Sequence, residues 1–318
     1  MKKTAYILSA LVLLLSSCQR EGLEEAQVVF SVPSAPSVKA IPLDFGSNTP
    51  GTVSLPTSMN LGVVACKYTT SGAPESAWTV HSTPTQAVYD GSRGGNSSGK
   101  WVPATRLMWP GAGHYVRYFG YAPYGVTGVT VSAPGGAAPT IGFTVPATYD
   151  TQVDLLVTDA SSSREWDGNP PVTAIDVPLR FVHALTGIRF RVGTGYTVTS
   201  VSVKNVYNSG TLTLGSNPAW TGNTGDATYT ISNPTLKTDL ADPSYNLLDN
   251  IYTLLLLPQT LPAGSKITVS YTYNGVSRTV EALMDDIVWQ PGRMITYTIK
   301  ETDISWTEAY MRGDTDWF

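Results

Sequence analysis

The stretch Ile267-Thr268-Val269-Ser270-Tyr271-Thr272-Tyr273-Asn274-Gly275-Val276 alternates apolar and polar residues and then reaches a turn. A period of two places every second side chain on one face, which is typical of an antiparallel strand with one buried face. Asn-Gly is the dipeptide that two-residue hairpins favour, because both positions take a positive φ. The stretch therefore predicts a β-hairpin.

The same alternation recurs along the chain and is interrupted by turn residues. It is found at 28–32, 188–192, 201–206 and 295–300, and a continuous apolar run at 252–257 indicates a fully buried strand. No long stretch outside the N-terminal leader has apolar residues at helical spacing. With 42% apolar and 14% charged residues, the chain is predicted to be an all-β protein built from β-sandwiches.

The length of 318 residues fits two domains better than one. A stretch rich in serine, glycine and proline, 161–178, separates two halves that each carry enough strand patterns for a sandwich. We therefore predict an N-terminal domain at residues 27–178 and a C-terminal domain at residues 179–301. Residues 302–318 form a polar and aromatic tail.

The N-terminus has the layout of an export signal. Two lysines precede an apolar stretch, 5–15, which is too short for a permanent membrane span, and small residues then precede Cys18. This order predicts a signal peptide at residues 1–17. Its end resembles the lipobox of bacterial lipoproteins, which implies that Cys18 carries an acyl anchor. Residues 18–26 then form an acidic tether, and the alternative is an ordinary secretory peptide with an incidental cysteine.

Charge and cysteine content exclude several classes of protein. The net charge is −4, and the chain has no basic stripe of the kind that phosphate backbones require, so no nucleic-acid partner is predicted. Two cysteines cannot make a disulfide framework. Cys66 lies in the apolar run 61–66 and is predicted to be a buried core thiol.

The sequence offers no convincing catalytic, metal or cofactor site. Its three histidines, His81, His114 and His183, do not occur at metal-ligand spacing. His183 is predicted to be a locally hydrogen-bonded strand residue. The run 94–100 has the spacing of a phosphate-binding loop, but Trp101 follows where a helix should begin, so a hairpin loop is favoured. The protein is therefore predicted not to be an enzyme.

Four segments, in this order, resemble the motifs of the fimbrillin family, the subunits and accessory proteins of type V pili in anaerobic Gram-negative bacteria. They are 119–124, 177–188, 256–260 and 289–292, and the shorter segments 154–157, 267–271 and 297–299 fall in the expected order between and after them. The resemblance implies two tandem transthyretin-like Greek-key β-sandwich domains. It also implies export as a lipoprotein of the outer membrane, removal of the first strand by a trypsin-like protease, and filling of the vacated groove by a strand from another fimbrial subunit.

This sequence contains parts that match that scheme. The first strand would be Val28 to Val38, and it ends at Lys39-Ala40, where we predict cleavage between Lys39 and Ala40. The predicted donor strand is the tail, in which Ile304, Trp306 and Tyr310 share one parity and could fill a groove. The alternative is a tail that packs on its own domain.

The resulting prediction is a structural fimbrial subunit of the cell surface that contributes to adhesion, through contacts with host or bacterial surfaces. One alternative within the family is a pilus anchor, which would keep the lipid on Cys18, or a tip protein. Another is a surface glycan-binding lipoprotein, because tryptophan faces can stack on sugars. Its platform would come from Trp78, Trp101, Trp109, Trp166, Trp220 and Trp289.

Overall fold

A computed structural model of the chain describes residues 27–32, 55–92, 100–169, 176–193, 195–215, 218–236, 253–300 and 303–310. For residues 307–310 it describes the backbone alone. In these ranges strands dominate, and helix is limited to two 3-10 turns, Glu75–Ala77 and Tyr149–Thr151. Within these ranges no helix has the length and apolar character needed to cross a membrane. The all-β prediction is therefore confirmed.

The strands of the first part of the chain include three of eight residues or more, β2, β3 and β5. In chain order the strands are β1 Phe30–Ser31, β2 Leu61–Tyr68, β3 Thr79–Asp90, β4 Lys100–Pro103, β5 Tyr115–Ala122, β6 Val129–Ser132, β7 Thr140–Thr144, β8 Leu156–Thr158, β9 Trp166–Asp167, β10 Val177–Pro178 and β11 Phe181–His183.

The strands of the second part are on average longer and alternate more regularly. They are β12 Thr186–Val192, β13 Tyr196–Val206, β14 Ser209–Thr213, β15 Ala219–Thr224, β16 Ala227–Ser232, β17 Leu254–Leu256, β18 Gln259–Thr260, β19 Lys266–Tyr273, β20 Val276–Leu283, β21 Val288–Trp289, β22 Arg293–Ile299 and β23 Ile304–Tyr310.

The largest sheet, called the N-terminal sheet below, has the strand order β10-β1-β4-β3-β2-β5-β8-β11, with β9 also paired to β5. Its strands are antiparallel to their neighbours except that β1 and β10 run parallel. The first strand of the chain is therefore inserted between β4 and β10 and is not at the edge of the sheet.

Three sheets of four strands complete the fold. Two of them, β17-β12-β22-β23 and β16-β13-β19-β20, are formed by the second part of the chain alone. The third, β15-β14-β7-β6, joins strands from both parts, since β7 pairs with β14. A two-stranded sheet, β18-β21, lies beside them.

The boundary predicted between residues 178 and 179 does not coincide with a break in strand pairing. Strand β11 follows that point and still pairs with β8 of the N-terminal sheet. The main hydrophobic core also contains both Phe119 and Phe190, one from each predicted domain. The division into tandem transthyretin-like domains stays a prediction.

The hairpin predicted from the sequence is confirmed. Strands β19 and β20 pair up to Tyr273 opposite Val276. The two residues between them, Asn274 and Gly275, have φ values of 51° and 76°. Both lie in the left-handed region that this type of turn requires.

Strand β2 explains why residues 61–66 form an unbroken apolar run. Val63 packs into the smaller core, which surrounds the first strand, whereas Val64 and Cys66 pack into the main core. A strand with a core on each face cannot alternate with polar residues. Cys66 is a free and fully buried thiol, as predicted.

Candidate functional site

The first strand, β1, is held by few backbone hydrogen bonds. It has two residues, and Phe30 pairs with Val177 on one side and with Trp101 on the other. Nearby, the Val177 N–H donates to the Val29 carbonyl at 2.9 Å, and the Leu179 N–H donates to the Ser31 carbonyl at 2.7 Å. If β1 were withdrawn, these donors and those of β4 would lose their partners, which is costly for buried backbone groups.

The inner face of this segment is fully buried. Val28 is 1% exposed and Phe30 is 0% exposed, and both belong to the smaller core. The Phe30 ring meets Tyr118 edge-on at a centroid distance of 5.6 Å, and Trp109 meets Tyr118 in the same way at 5.8 Å. Withdrawal of β1 would therefore open an apolar slot with aromatic walls.

The outer face carries an ion pair that crosses the first strand. The Lys100 Nζ atom on β4 lies 2.7 Å from the Asp176 Oδ2 atom, next to β10. The Ser31 side chain, on β1 between these strands, also hydrogen-bonds to the Asp176 carboxylate. Partial burial raises the pKa of Asp176, but the hydrogen bonds from Lys100, Ser31 and its own backbone outweigh this and hold the pKa below its ordinary value.

The structure bears on only part of the predicted processing site. Val28 and Phe30 face inward as the alternation predicts, and Val32 is half-buried against the same core. Cys18, Lys39 and Ala40 lie outside the described residues, and so does the end of the predicted strand. The lipid attachment and the cleavage stay predictions.

The tail forms strand β23, which pairs antiparallel with β22 over seven residue pairs. Ile304, Trp306 and Tyr310 lie opposite Ile299, Tyr297 and Arg293. Residues directly opposite each other share a face, so the three predicted donor residues do lie on one face. In this chain the tail thus packs on its own sheet.

The two described side chains of that face differ in burial. Ile304 is 8% exposed, whereas Trp306 is 45% exposed, although it lies opposite the buried Tyr297. Strand β23 is the last strand of its sheet, and among the described residues no strand pairs with its outer edge. Such an edge offers backbone groups and an indole to another chain.

A buried acid–histidine pair joins β11 to the residues just before β8. His183 Nδ1 lies 2.5 Å from Asp154 Oδ2, and the two side chains are almost completely buried. This confirms the prediction that His183 is a hydrogen-bonded strand residue. In the part of the chain that the structure describes, no three His, Cys, Asp or Glu side chains are grouped so as to hold a metal ion.

An apolar cavity of about 540 Å³ lies where β11, the β14–β15 hairpin and the β18–β21 sheet meet. Trp220 and Trp289 line it, together with Pro218, Pro258 and Pro291. The Trp220 indole donates to the Ala184 carbonyl at 2.8 Å. The cavity has the size of a small-molecule site, and its mostly apolar walls also include the polar residues Asp159, His183, Gln259 and Gln290.

The tryptophans give little support to a glycan platform. Trp78, Trp101, Trp109 and Trp289 are buried, and Trp166 and Trp220 are half-buried. Trp166 is covered by Arg164, whose guanidinium carbon lies 4.0 Å from a ring centroid of the indole. Trp306, which we assigned to the donor strand, is the most exposed tryptophan among the described residues.

Sequence reasoning did not find the Lys100–Asp176 pair. The two residues are 76 positions apart, and Asp176 lies in the stretch that we interpreted as a linker. No local pattern marks such a contact, because strand pairing alone brings the two residues together.

Comparison with known proteins gives a family. A sequence model described as fimbrillin-like matches residues 55–310. No curated protein sequence matches the chain. The fold is similar to that of a candidate cell adhesion protein from Bacteroides uniformis, with a TM-score of 0.50, 15% identity and coverage of 91% of this chain and 98% of that one. A corresponding protein from Bacteroides ovatus gives a TM-score of 0.49 at 15% identity, covering 92% and 97%. The tip fimbrial protein Mfa3 from Porphyromonas gingivalis gives 0.34 at 7% identity, covering 82% and 97%.

Proposed function

Because the chain belongs to the fimbrillin-like family, we propose that it is a structural fimbrial subunit of the cell surface that contributes to adhesion and has no catalytic role. Assembly proceeds by exchange of a strand between subunits. The observation that carries this proposal is the position of β1, which is short, lies between β4 and β10 and carries two fully buried side chains.

The physical basis is sheet completion. A protease that cuts at Lys39-Ala40 would detach Val28 and Phe30 from the rest of the chain. The remaining sheet would then contain a gap with unpaired backbone groups on β4 and β10, above an apolar slot. A strand from a second subunit satisfies the backbone groups and fills the slot in one step.

The tail is the proposed donor. It already adopts a strand conformation, and Ile304 and Trp306, two positions apart, lie on the same face of that strand. To insert into another subunit, β23 must first leave β22. The seven residue pairs that it loses there outnumber the three that β1 makes with β4 and β10, so burial of the donor side chains in the apolar slot must supply the balance.

The proposed route to the surface follows from the N-terminal sequence. The signal peptide exports the chain, the lipid on Cys18 holds it at the outer membrane, and a trypsin-like protease releases it into the fimbria. A pilus anchor is the alternative within the family, and it would retain both the lipid and β1. The seated β1 of the uncleaved chain is the state that such an anchor would keep.

Mass spectrometry of filaments sheared from cells tests the proposal. We expect the mature chain to begin at Ala40. A chain that begins at acylated Cys18 would instead identify the protein as an anchor. Absence of the chain from sheared filaments, together with binding of the monomer to a glycan array, would favour the glycan-binding alternative and contradict the proposal.

A further inference from the structure

An ion pair crosses the first strand on the outer face of the N-terminal sheet. Phe30 lies opposite Trp101, so the next antiparallel pair along places Ser31 opposite Lys100. On the other side of β1, Asp176 immediately precedes β10. Because Phe30 pairs with Val177 and Ser31 with Pro178, Asp176 is level with Val29. The Lys100–Asp176 ion pair therefore crosses β1 diagonally, between Ser31 and Val29.

This arrangement restricts what can occupy position 31. The Lys100 and Asp176 side chains are only 18% and 25% exposed, and Ser31 beside them is itself half-buried. A bulky side chain at this position would push the ion pair apart. A small side chain without a hydroxyl would leave the Asp176 carboxylate without the hydrogen bond that Ser31 gives it.

We propose that the Lys100–Asp176 pair sets the register of any strand that replaces β1, because it accepts a serine or threonine directly after a buried aromatic residue. This inference rests on the proposed strand exchange and goes beyond it by specifying the partner. The required pattern is that of Val28-Val29-Phe30-Ser31: an aliphatic residue, any residue, an aromatic residue and a hydroxyl.

The tail of a second copy of this chain has that pattern. Ile304-Ser305-Trp306-Thr307 carries an aliphatic residue, a spacer, an aromatic residue and a hydroxyl in the same order. In this register Ile304 takes the place of Val28, and Trp306 takes the place of Phe30. Thr307 takes the place of Ser31, beneath the ion pair.

Neighbouring registers that keep the same face inward fit poorly. If Ile304 replaced Phe30, Thr302 would occupy the fully buried site of Val28. If Glu308 or Tyr310 replaced Phe30, Glu308 would occupy the buried site of Phe30 or of Val28, and an unpaired carboxylate cannot be buried there without a large cost. The chemistry of the slot and the hydroxyl requirement thus select the same register.

Disulfide trapping in the full chain, displayed on cells that form filaments, tests this register. Val102 is the residue of β4 that lies opposite Val29, one step from the Phe30–Trp101 pair. A Val102→Cys acceptor combined with Ser305→Cys should therefore give a ladder of covalent oligomers on a non-reducing gel, because opposite residues on paired strands come within disulfide range. Val102→Cys combined with Asp303→Cys, Thr307→Cys or Ala309→Cys reports the three other registers.

The outcomes distinguish failure of the proposed register from failure of the proposed fimbrial function. The strongest ladder with Ser305→Cys supports the register. The strongest ladder with Asp303→Cys, Thr307→Cys or Ala309→Cys overturns the register but supports strand exchange by the tail. Filaments without a ladder in any pair overturn both the register and the tail as donor. Absence of the chain from filaments overturns the proposed function itself.

A second pair of variants tests the role of the ion pair. In the Val102→Cys, Ser305→Cys background, Thr307→Val keeps the side-chain shape and removes the hydroxyl, and Thr307→Ser keeps the hydroxyl. We expect Thr307→Val to lower the yield of covalent oligomers about tenfold, as for the loss of a hydrogen bond to a charged group, and Thr307→Ser to leave it nearly unchanged. Equal yields for the two variants would show that the Lys100–Asp176 pair does not select for a hydroxyl at position 307.

Discussion

The ring of Phe30 meets the ring of Tyr118 edge-on, with the centroids 5.6 Å apart and the planes inclined by 71°. Tyr118 lies on β5, near the other side of the N-terminal sheet, so this contact joins the first strand to the centre of the smaller core. Edge-to-face pairs of this kind stabilise a fold beyond the area that they bury. The first strand is therefore held mainly by side-chain packing and less by its short backbone ladder.

Phe30→Ala should destabilise the uncleaved protein by about 3–5 kcal/mol, because it removes a fully buried ring and leaves a cavity. Urea unfolding monitored by tryptophan fluorescence measures the change. Val29→Ala is the matched control, since Val29 is only half-buried and belongs to neither core cluster. Similar losses for the two variants would show that burial at Phe30 does not hold the strand.

The Lys100–Asp176 pair should give β1 a pH-dependent stability. The pKa of Asp176 is lower in the folded protein than in the unfolded chain, so its contribution is present above the ordinary carboxyl range and is lost as the pH falls through the folded pKa. We expect Asp176→Asn to reduce stability by about 1 kcal/mol or less at neutral pH, since the pair is partly exposed, and to have little effect well below pH 4.

Urea unfolding of Asp176→Asn and the parent protein between pH 3 and pH 7 measures this dependence. Glu281→Gln is the control, because Glu281 also pairs with a lysine, Lys266, but lies far from β1 on the exposed strand β20. A constant difference between Asp176→Asn and the parent across this range would contradict the assignment.

The thiol of Cys66 should be inert in the folded protein. Burial raises its pKa to about 11, with a smaller contribution from the Glu75 carboxylate. The thiolate is the reactive form, so we expect almost no labelling by a maleimide at pH 8 and complete labelling in urea. Rapid labelling without urea would show that the main core opens near β2. The inert thiol also makes the introduced cysteines readable in the trapping experiment.

The strand content was predictable because most of these strands have one face in a core and one face outside. In β19, Ile267, Val269 and Tyr271 are buried, and the residues between them are partly exposed. The alternation of apolar and polar residues therefore follows the alternation of buried and exposed side chains. Asn274-Gly275 could be predicted as a turn because both positions need a positive φ. Both signals are local, so one sequence is enough to read them.

The pairing of distant strands was not predictable in the same way. Strand β7 pairs with β14 across the predicted domain boundary. The sequence of neither strand contains a pattern that identifies the other as its partner. The Lys100–Asp176 pair has the same origin. The inward face of β1 could be predicted from the alternation of Val28 and Phe30, whereas the polar contacts on its outer face depend on which strands become its neighbours.

Trp306→Ala should separate the role of the tail in assembly from its role in the monomer. Trp306 is 45% exposed on its own domain, so its removal should cost the monomer about 1 kcal/mol or less. In the proposed complex the same indole would fill the buried site of Phe30, and its loss there should cost about 3–5 kcal/mol and prevent filament formation. Thermal unfolding of the monomer and electron microscopy of sheared filaments measure the two effects.

Ile304→Ala is the control for this prediction. Ile304 is buried in the monomer and would be buried in the proposed complex, so its removal should weaken both. Normal filaments from Trp306→Ala would exclude this indole as the anchor of the donor strand.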